Sequence, residues 1–248
     1  MLELKNVSFQ FSPNATVLNE INLKIAKGEF VIIAGNNGSG KTVLIRHFNG
    51  LYKPTAGNVF YNGKPIFNNI LEVRKKIGMV FQDADTQILG QTVYDDVSFG
   101  LENLKVKRSE INNIVPAVLK SVGLSGYENR NPSLLSGGEK KRVIIAGILA
   151  MNPEMIVFDE PFTGLDFPGV KQILSQILQL HAKGHSIVVI THDLNKILAH
   201  AERIIVLDKG TIQSDINLNK LSDEIPNELF KTNIKIPNGK KSQMSWLL

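Results

Sequence analysis

Hydrophobic residues follow three different rhythms along this chain. Near the start, Leu2, Leu4, Val7 and Phe9 lie in strand-like surroundings, and Val17, Ile21, Leu23 and Ile25 recur near period two, the spacing of a half-buried strand. Phe30-Val31-Ile32-Ile33-Ala34 is apolar throughout, short and followed by glycines, which predicts a strand buried on both faces. A helix is predicted over residues 41–49. Asn58-Val59-Phe60-Tyr61 running into Asn62-Gly63 predicts a strand and a tight hairpin turn. From about residue 91 to 151 the spacing becomes helical. Ile111, Ile114, Val115, Val118 and Leu119 share one face, with Ser109 as the expected N-cap and Gly123 as the expected stop. Pro116 inside that segment predicts a kink or a late start. Short apolar runs then return at 155–158 and 186–190, on either side of a helix expected at 170–182. A hairpin is expected over 204–212, turning at Asp208-Lys209-Gly210. Strands alternating with helices predict an α/β fold with a mainly parallel sheet covered on both faces. After Leu218 the pattern fades into a polar, Lys-rich stretch, read either as a loose tail or as a small docking element anchored by Trp246.

Hydrophobic residues make up 43% of the 248, enough for a sizeable core and too many for a disordered chain. The net charge of +5 is spread among interspersed acids and bases, as on an ordinary solvated surface. There is no cysteine, which excludes disulfides, thiolate metal sites and cysteine nucleophiles. No run reaches the ~18–20 apolar residues that span a bilayer, and Met1-Leu2-Glu3-Leu4-Lys5 does not begin a signal peptide. Any membrane contact is therefore expected through another protein.

Candidate chemistry begins where the first buried strand ends. Gly35-Asn36-Asn37-Gly38-Ser39-Gly40-Lys41-Thr42 fits the phosphate-binding pattern G-x-x-x-x-G-K-[ST], between a strand and a helix as the pattern requires. Glycines let the backbone turn several N–H groups toward phosphate oxygens, and the helix starting near Lys41 adds its positive dipole end. Lys41 is placed to reach the outer phosphates of a nucleotide, and the Thr42 hydroxyl to bind Mg²⁺. Asp159 and Glu160 follow the apolar run 155–158, at the sheet edge where α/β proteins bind ligands. There Asp159 is placed to hold Mg²⁺ and Glu160 to polarise an attacking water as general base. His192 follows the second run at the same edge. Leu135-Ser136-Gly137-Gly138-Glu139 precedes another helix and offers a second anion-binding N-terminus. Both helix starts can meet one γ-phosphate only if they come from different subunits.

With these elements in order, the sequence resembles the ATP-binding cassette (ABC) family from the N-terminus to about Gln213. The segment 135–139 is similar to the family's signature motif, in which Gln is more usual at the position of Glu139. Gln82, after Met79-Val80-Phe81, resembles the glutamine that links Mg²⁺ and the attacking water to a membrane partner. Gly164-Leu165-Asp166 resembles the loop that touches the opposite subunit, His192 the switch histidine, and Phe11 the aromatic that stacks on adenine, where Tyr is commoner. The resemblance implies a P-loop NTPase cassette over residues 1–217, with a mainly parallel core sheet, an N-terminal antiparallel β subdomain and a helical signature subdomain at about 91–151. Residues 218–248 are the short tail or docking element. ATP and Mg²⁺ are the implied cofactors. Phe11, Gly35, Asn36, Asn37, Gly38, Ser39, Gly40, Lys41, Thr42 and Val43 bind the nucleotide on one subunit, and Ser136, Gly137 and Gly138 face it from the other. Thr42, Gln82 and Asp159 surround the metal; Glu160, His192, Gln82 and Asp166 are the implied catalytic residues. Two cassettes, a homodimer or a related heterodimer, close head to tail around two ATP molecules, and hydrolysis reopens them.

Residues 81–88 and 92–100 look most like the energy-coupling-factor group, bacterial importers of vitamins, cobalt or nickel. That likeness implies a transmembrane coupling protein and a small substrate-binding membrane protein as partners. It also implies a groove for the coupling helix at residues 87–99, and a peripheral place on the cytoplasmic face of the bacterial cell membrane. ATPases of other ABC transporters share the same chemistry. A soluble ABC protein acting on DNA, ribosomes or iron–sulfur assembly is disfavoured by the lack of sustained heptads, by the single cassette and by the absence of a concentrated basic stripe. No nucleic-acid partner is therefore expected. A P-loop kinase or GTPase is disfavoured by Ser136-Gly137-Gly138.

Overall fold

The computed structural model describes residues 1–220, 223–225, 229, 234 and 239–247. In chain order, β1 (Leu2–Gln10), β2 (Thr16–Ile25) and β3 (Phe30–Ala34) lead to helix α1 (Lys41–Arg46) and the hairpin of β4 (Ala56–Tyr61) and β5 (Lys64–Pro65). Helix α2 (Ile70–Lys76) runs into β6 (Ile77–Val80), followed by α3 (Val93–Asn103), α4 (Arg108–Ser121) and α5 (Gly137–Ala150). Then come β7 (Met155–Asp159), α6 (Phe167–Ala182), β8 (Ser186–Ile190), β9 (Arg203–Asp208) and β10 (Thr211–Asn217). One sheet has the order β2-β1-β4-β5 and is antiparallel. The other has the order β10-β9-β3-β8-β7-β6 and is parallel except for the β9–β10 hairpin.

The unbroken apolar runs of β3, β7 and β8 follow from two cores on opposite faces of the larger sheet. Ile32, Ala34, Phe158 and Val189 point to one core with the helices, including Val97 of α3, Val115 of α4, Ile145 of α5 and Ile173 of α6. Their neighbours Val31, Ile33, Val157 and Val188 point to the other, with Leu4 and Val59 of the smaller sheet and Leu44 of α1. Alternate residues of a strand face opposite ways, and each buried aliphatic or aromatic side chain contributes about 1.5–3 kcal/mol of transfer free energy. This packing fixes the central strands side by side, so the loops after β3, β7 and β8 emerge at one edge.

Several boundaries differ from the sequence expectation. Helix α1 ends at Arg46, where His47 N–H and Phe48 N–H turn back to Leu44 O and Ile45 O in tighter i→i−3 bonds. Ser109 is not the N-cap of α4. The helix starts at Arg108 after Lys107, without a side-chain cap, and Ser109 sits in its first turn. Pro116 does not delay the start but lies in mid-helix, removing one backbone donor there. The stop falls at Gly123, as expected. Its φ of 72° lets Gly123 N–H reach Lys120 O while Leu124 N–H reaches Leu119 O. Helix α6 starts at Phe167, because the Asp166 carboxylate accepts the Gly169 N–H at 2.9 Å and Pro168 falls in the first turn, where no N–H bond is needed.

Among the described residues beyond β10, Leu218 and Met244 are buried. Ala199 N–H donates to Met244 O at 3.2 Å, and Ser245 Oγ lies 2.7 Å from His200 Nε2. The Trp246 ring lies 5.3 Å from that of Phe167, with the Lys196 ammonium 4.7 Å from its centroid. No described helix is long and apolar enough to cross a membrane.

Candidate functional site

The loop after β3 wraps closely because two of its glycines permit it. A Cβ on Gly35 would lie 2.3 Å from Leu207 O, and Gly40, at φ 101°, would place one 3.0 Å from Leu18 Cδ2. Lys41 opens α1 and folds back on the loop. Its ammonium donates to Gly35 O at 2.8 Å and to Asn36 O at 2.9 Å. Burial pushes this ammonium below the ordinary lysine value, and the charges of Glu160 and Asp159 oppose that shift. Lys41, Thr42, Val43, Asn37, Gly38, Gly40, Gln82, Asp159 and Glu160 line one cleft of about 410 Å³ with Val17. Gly35, Asn36 and Ser39 form the loop behind that lining, with Ser39 N–H donating to Asn36 O at 3.1 Å. Phe11 does not line this cleft. It is 61% exposed, edge-on to Phe9 at 5.0 Å and to Tyr52 at 5.8 Å.

Asp159 is the last residue of β7, and Glu160 opens the loop that follows. Asp159 is buried, which pushes its carboxyl above the usual carboxylate range, while the Thr42 hydroxyl donating to its Oδ1 at 3.3 Å works the other way. Thr42, Asp159 and Gln82 thus bring hard oxygen donors to one place. Mg²⁺ takes one or two carboxylates together with substrate phosphates and waters, so this donor set fits it. No cluster of three or more His, Cys, Asp or Glu side chains suited to a metal occurs among the described residues. Glu160 adopts φ 46°, a conformation that costs a non-glycine residue about 1 kcal/mol or more. Its N–H is held by Ile190 O at 3.0 Å. His192, after β8, places Nδ1 2.9 Å from Glu160 Oε1, so the structure brings these two residues together.

The Ser136-Gly137-Gly138 set lies elsewhere. Ser136 caps α5 in a capping box: its Oγ accepts the Glu139 N–H at 3.3 Å and its N–H donates to Glu139 Oε2 at 2.8 Å. Tyr127 OH donates to the other carboxylate oxygen at 2.9 Å. The Ser136 N–H and the Tyr127 hydroxyl hold the Glu139 carboxyl below its ordinary range. Glu139 is therefore satisfied within its own chain. With Gly164, Leu165, Asp166 and the start of α6, this segment lines a second cleft of about 450 Å³. The two clefts share no residue. Asp166, one of the expected catalytic residues, stands here as the cap of α6, apart from Lys41 and Glu160.

Gln87, at the start of the expected partner groove, is engaged internally. It accepts the Phe81 N–H at 2.9 Å and donates to Met79 O at 2.8 Å, bracing the loop that carries Gln82. Leu89 and Phe99 of the same region are exposed. Two residues near the site escaped sequence reasoning. Arg46 lines a further cleft with Thr42, Gln82 and Asp159, and Lys141 is buried beneath the Glu160 loop. Lys141 reads as part of a basic cluster. The usable signal was its helical register, one turn before buried Ile144 and Ile145.

A protein-family model described as ABC transporter matches residues 18–163. The energy-coupling factor transporter ATP-binding protein EcfA of Methanocaldococcus jannaschii is 42% identical over 247 residues, covering 96% of this chain and 86% of the relative. The EcfA of Methanococcus maripaludis is 43% identical over 215 residues, covering 86% and 77%. Among solved structures, cbiO1 from Clostridium perfringens, described as part of the ABC transporter complex cbiONQ, superposes with a TM-score of 0.79 at 36% identity, covering 87% of this chain and 88% of that one. A dimeric ATP-binding cassette in a post-hydrolysis state with ADP and Pi gives a TM-score of 0.80 at 32% identity, covering 89% and 100%. Matched by the family across both of its Gly-rich helix starts and by these relatives over most of its length, the chain belongs to the ABC transporter ATP-binding family, as an ATP-hydrolysing cassette of the energy-coupling factor group.

Proposed function

We propose that this ATPase powers the uptake of a vitamin or transition metal through a transporter of the energy-coupling-factor type. The observation that carries this reading is the 42% identity with an energy-coupling factor subunit along 96% of the chain. Its partners are then a second cassette, identical or related, a transmembrane coupling protein and a small substrate-binding membrane protein. It works at the cytoplasmic face of the cell membrane.

ATP lies along the loop 35–42, its outer phosphates on Lys41 and the backbone N–H groups, its adenine toward Phe11. Thr42, Asp159 and Gln82 would hold Mg²⁺, which when bound would supply charge neutralisation of the phosphates. Glu160 accepts a proton from water as that water attacks the γ-phosphorus; the bond to the bridging β–γ oxygen breaks and ADP leaves. His192 steadies the Glu160 carboxylate on the side of the γ-phosphate. The signature cleft is separate from the phosphate cleft of its own chain, so Ser136, Gly137, Gly138 and Asp166 complete the site of a second cassette packed head to tail. The test is native purification in mild detergent, with mass identification of what accompanies the chain. One larger and one smaller integral membrane protein are expected. A purely soluble complex would overturn the transporter reading.

Two further outcomes are expected. Ser136→Ala should leave ATP binding by isolated monomers nearly intact, at a helix-cap cost of about 1 kcal/mol, while impairing ATP-driven dimer formation in gel filtration. Loss of monomer binding would place the signature in cis. Trp246 is the sole tryptophan. It touches Phe167, next to Asp166, and Lys196, whose ammonium pairs with Asp193 at 3.1 Å beside His192. Its fluorescence should therefore change when ATP closes the dimer, as read in stopped flow. An unchanged emission would separate the docked tail from these loops.

A further inference from the structure

Lys141 is the most buried lysine among the described residues. It is 4% exposed, in the second turn of α5, and its Nζ donates to Pro161 O at 2.8 Å and Thr163 O at 2.9 Å. Those carbonyls belong to the turn that follows Glu160, which closes with Thr163 N–H on Glu160 O at 3.2 Å. A buried ammonium costs several kcal/mol unless its surroundings repay it, and two neutral carbonyls repay only part. The remaining favourable influence comes from the Glu160 carboxylate, while burial pushes the Lys141 ammonium down to about 8. An apolar side chain of similar length would fill this space with less desolvation. What it could not do is grip two consecutive stretches of the loop by direction as well as by contact. By contrast, the outer contact between α5 and this loop is apolar: the Leu165 side chain stands 3.8 Å from where a Gly137 Cβ would be and 3.9 Å from that of Gly138. Such a contact allows sliding.

We propose that Lys141 is a positioning residue that ties the signature helix to the loop carrying Glu160 of the same chain. Gly137 and Gly138 occupy the first turn of α5 and Lys141 follows them on the same rigid element. A phosphate engaging Ser136, Gly137 and Gly138 therefore pulls on α5, and Lys141 passes that displacement to the turn 161–163 and so to Glu160. Each cassette thereby registers nucleotide held by its partner before its own base is set. This rests on Glu160 acting as the general base.

The test compares Lys141→Met, Lys141→Gln and Glu160→Gln in the full chain, measuring equilibrium ATP binding, steady-state kcat and KM, and ATP-dependent dimers. Lys141→Met should bind ATP within about twofold of the parent with KM little changed, and should still form ATP dimers when combined with Glu160→Gln. Its kcat should fall about 10–100-fold, the cost of a misplaced reacting group. Should Lys141→Met not fold, Lys141→Gln carries the same comparison. An unreduced kcat overturns the proposal. So does a parallel loss of ATP affinity, kcat and melting temperature in both variants, which marks a merely structural lysine. If Glu160→Gln itself retains ordinary turnover, the general-base assignment falls. If Glu160→Gln is inactive and Lys141→Met is not slowed, only the role of Lys141 falls.

Discussion

Glu160→Gln should lower ATP turnover by about 10²–10⁴-fold, the usual contribution of a positioned general base, while ATP-bound dimers persist in gel filtration. The amide keeps the shape of the carboxylate and can still accept from His192, whose Nδ1 lies 2.9 Å from Glu160 Oε1. It cannot take a proton from water. The backbone conformation at φ 46°, held by Ile190 O, belongs to both residue types equally. Folding and nucleotide binding should thus survive while the chemical step is lost. Turnover at the ordinary rate would remove Glu160 from the base role, and turnover lost together with ATP binding would point to a distorted loop.

Lys41→Ala should act earlier in the cycle. It removes the ammonium proposed to reach the outer phosphates, together with its clamp on Gly35 O and Asn36 O. A charge-assisted hydrogen bond contributes about 1.5–3 kcal/mol, so ATP affinity should weaken by about 10–100-fold. Titration calorimetry with ATP and with ADP separates the two duties. A loss confined to ATP would place Lys41 on the terminal phosphate. Equal losses would follow from collapse of the loop. Unchanged affinity for both would leave Lys41 with the clamp alone. The vacated carbonyls can turn to the water of the cleft, so thermal stability should change little.

The contrast between legible and illegible features runs along sequence separation. The run at Phe30–Ala34 reads correctly as a strand buried on both faces, because successive side chains point opposite ways and five consecutive apolar residues therefore report both faces of a sheet. The hairpin at Lys209-Gly210 read correctly because both positions need φ above zero and the chain supplies a glycine. Ser109 misled because a good capping residue says nothing about where tertiary packing starts the helix. In α4 the buried Ile111, Val115 and Leu119 set the register, and the helix extends to Arg108 without a cap. The early start of α6 has the opposite cause: Asp166, a catalytic candidate by sequence, accepts the Gly169 N–H and caps the helix ahead of the expected Val170.

By itself, the sequence determined the α/β alternation, the glycine-rich loop with Lys41 and Thr42, and the acids that follow a buried strand. All of these are local patterns of period, φ and polarity. Only the tertiary structure decided that the phosphate loop and the signature line separate clefts, that Glu160 meets His192, and that Lys141 lies under the loop after Glu160. Those juxtapositions depend on the strand order β10-β9-β3-β8-β7-β6 and on how α5 packs against it. Strand order and helix packing come from burying apolar surface across the whole chain, and no single stretch of residues carries them.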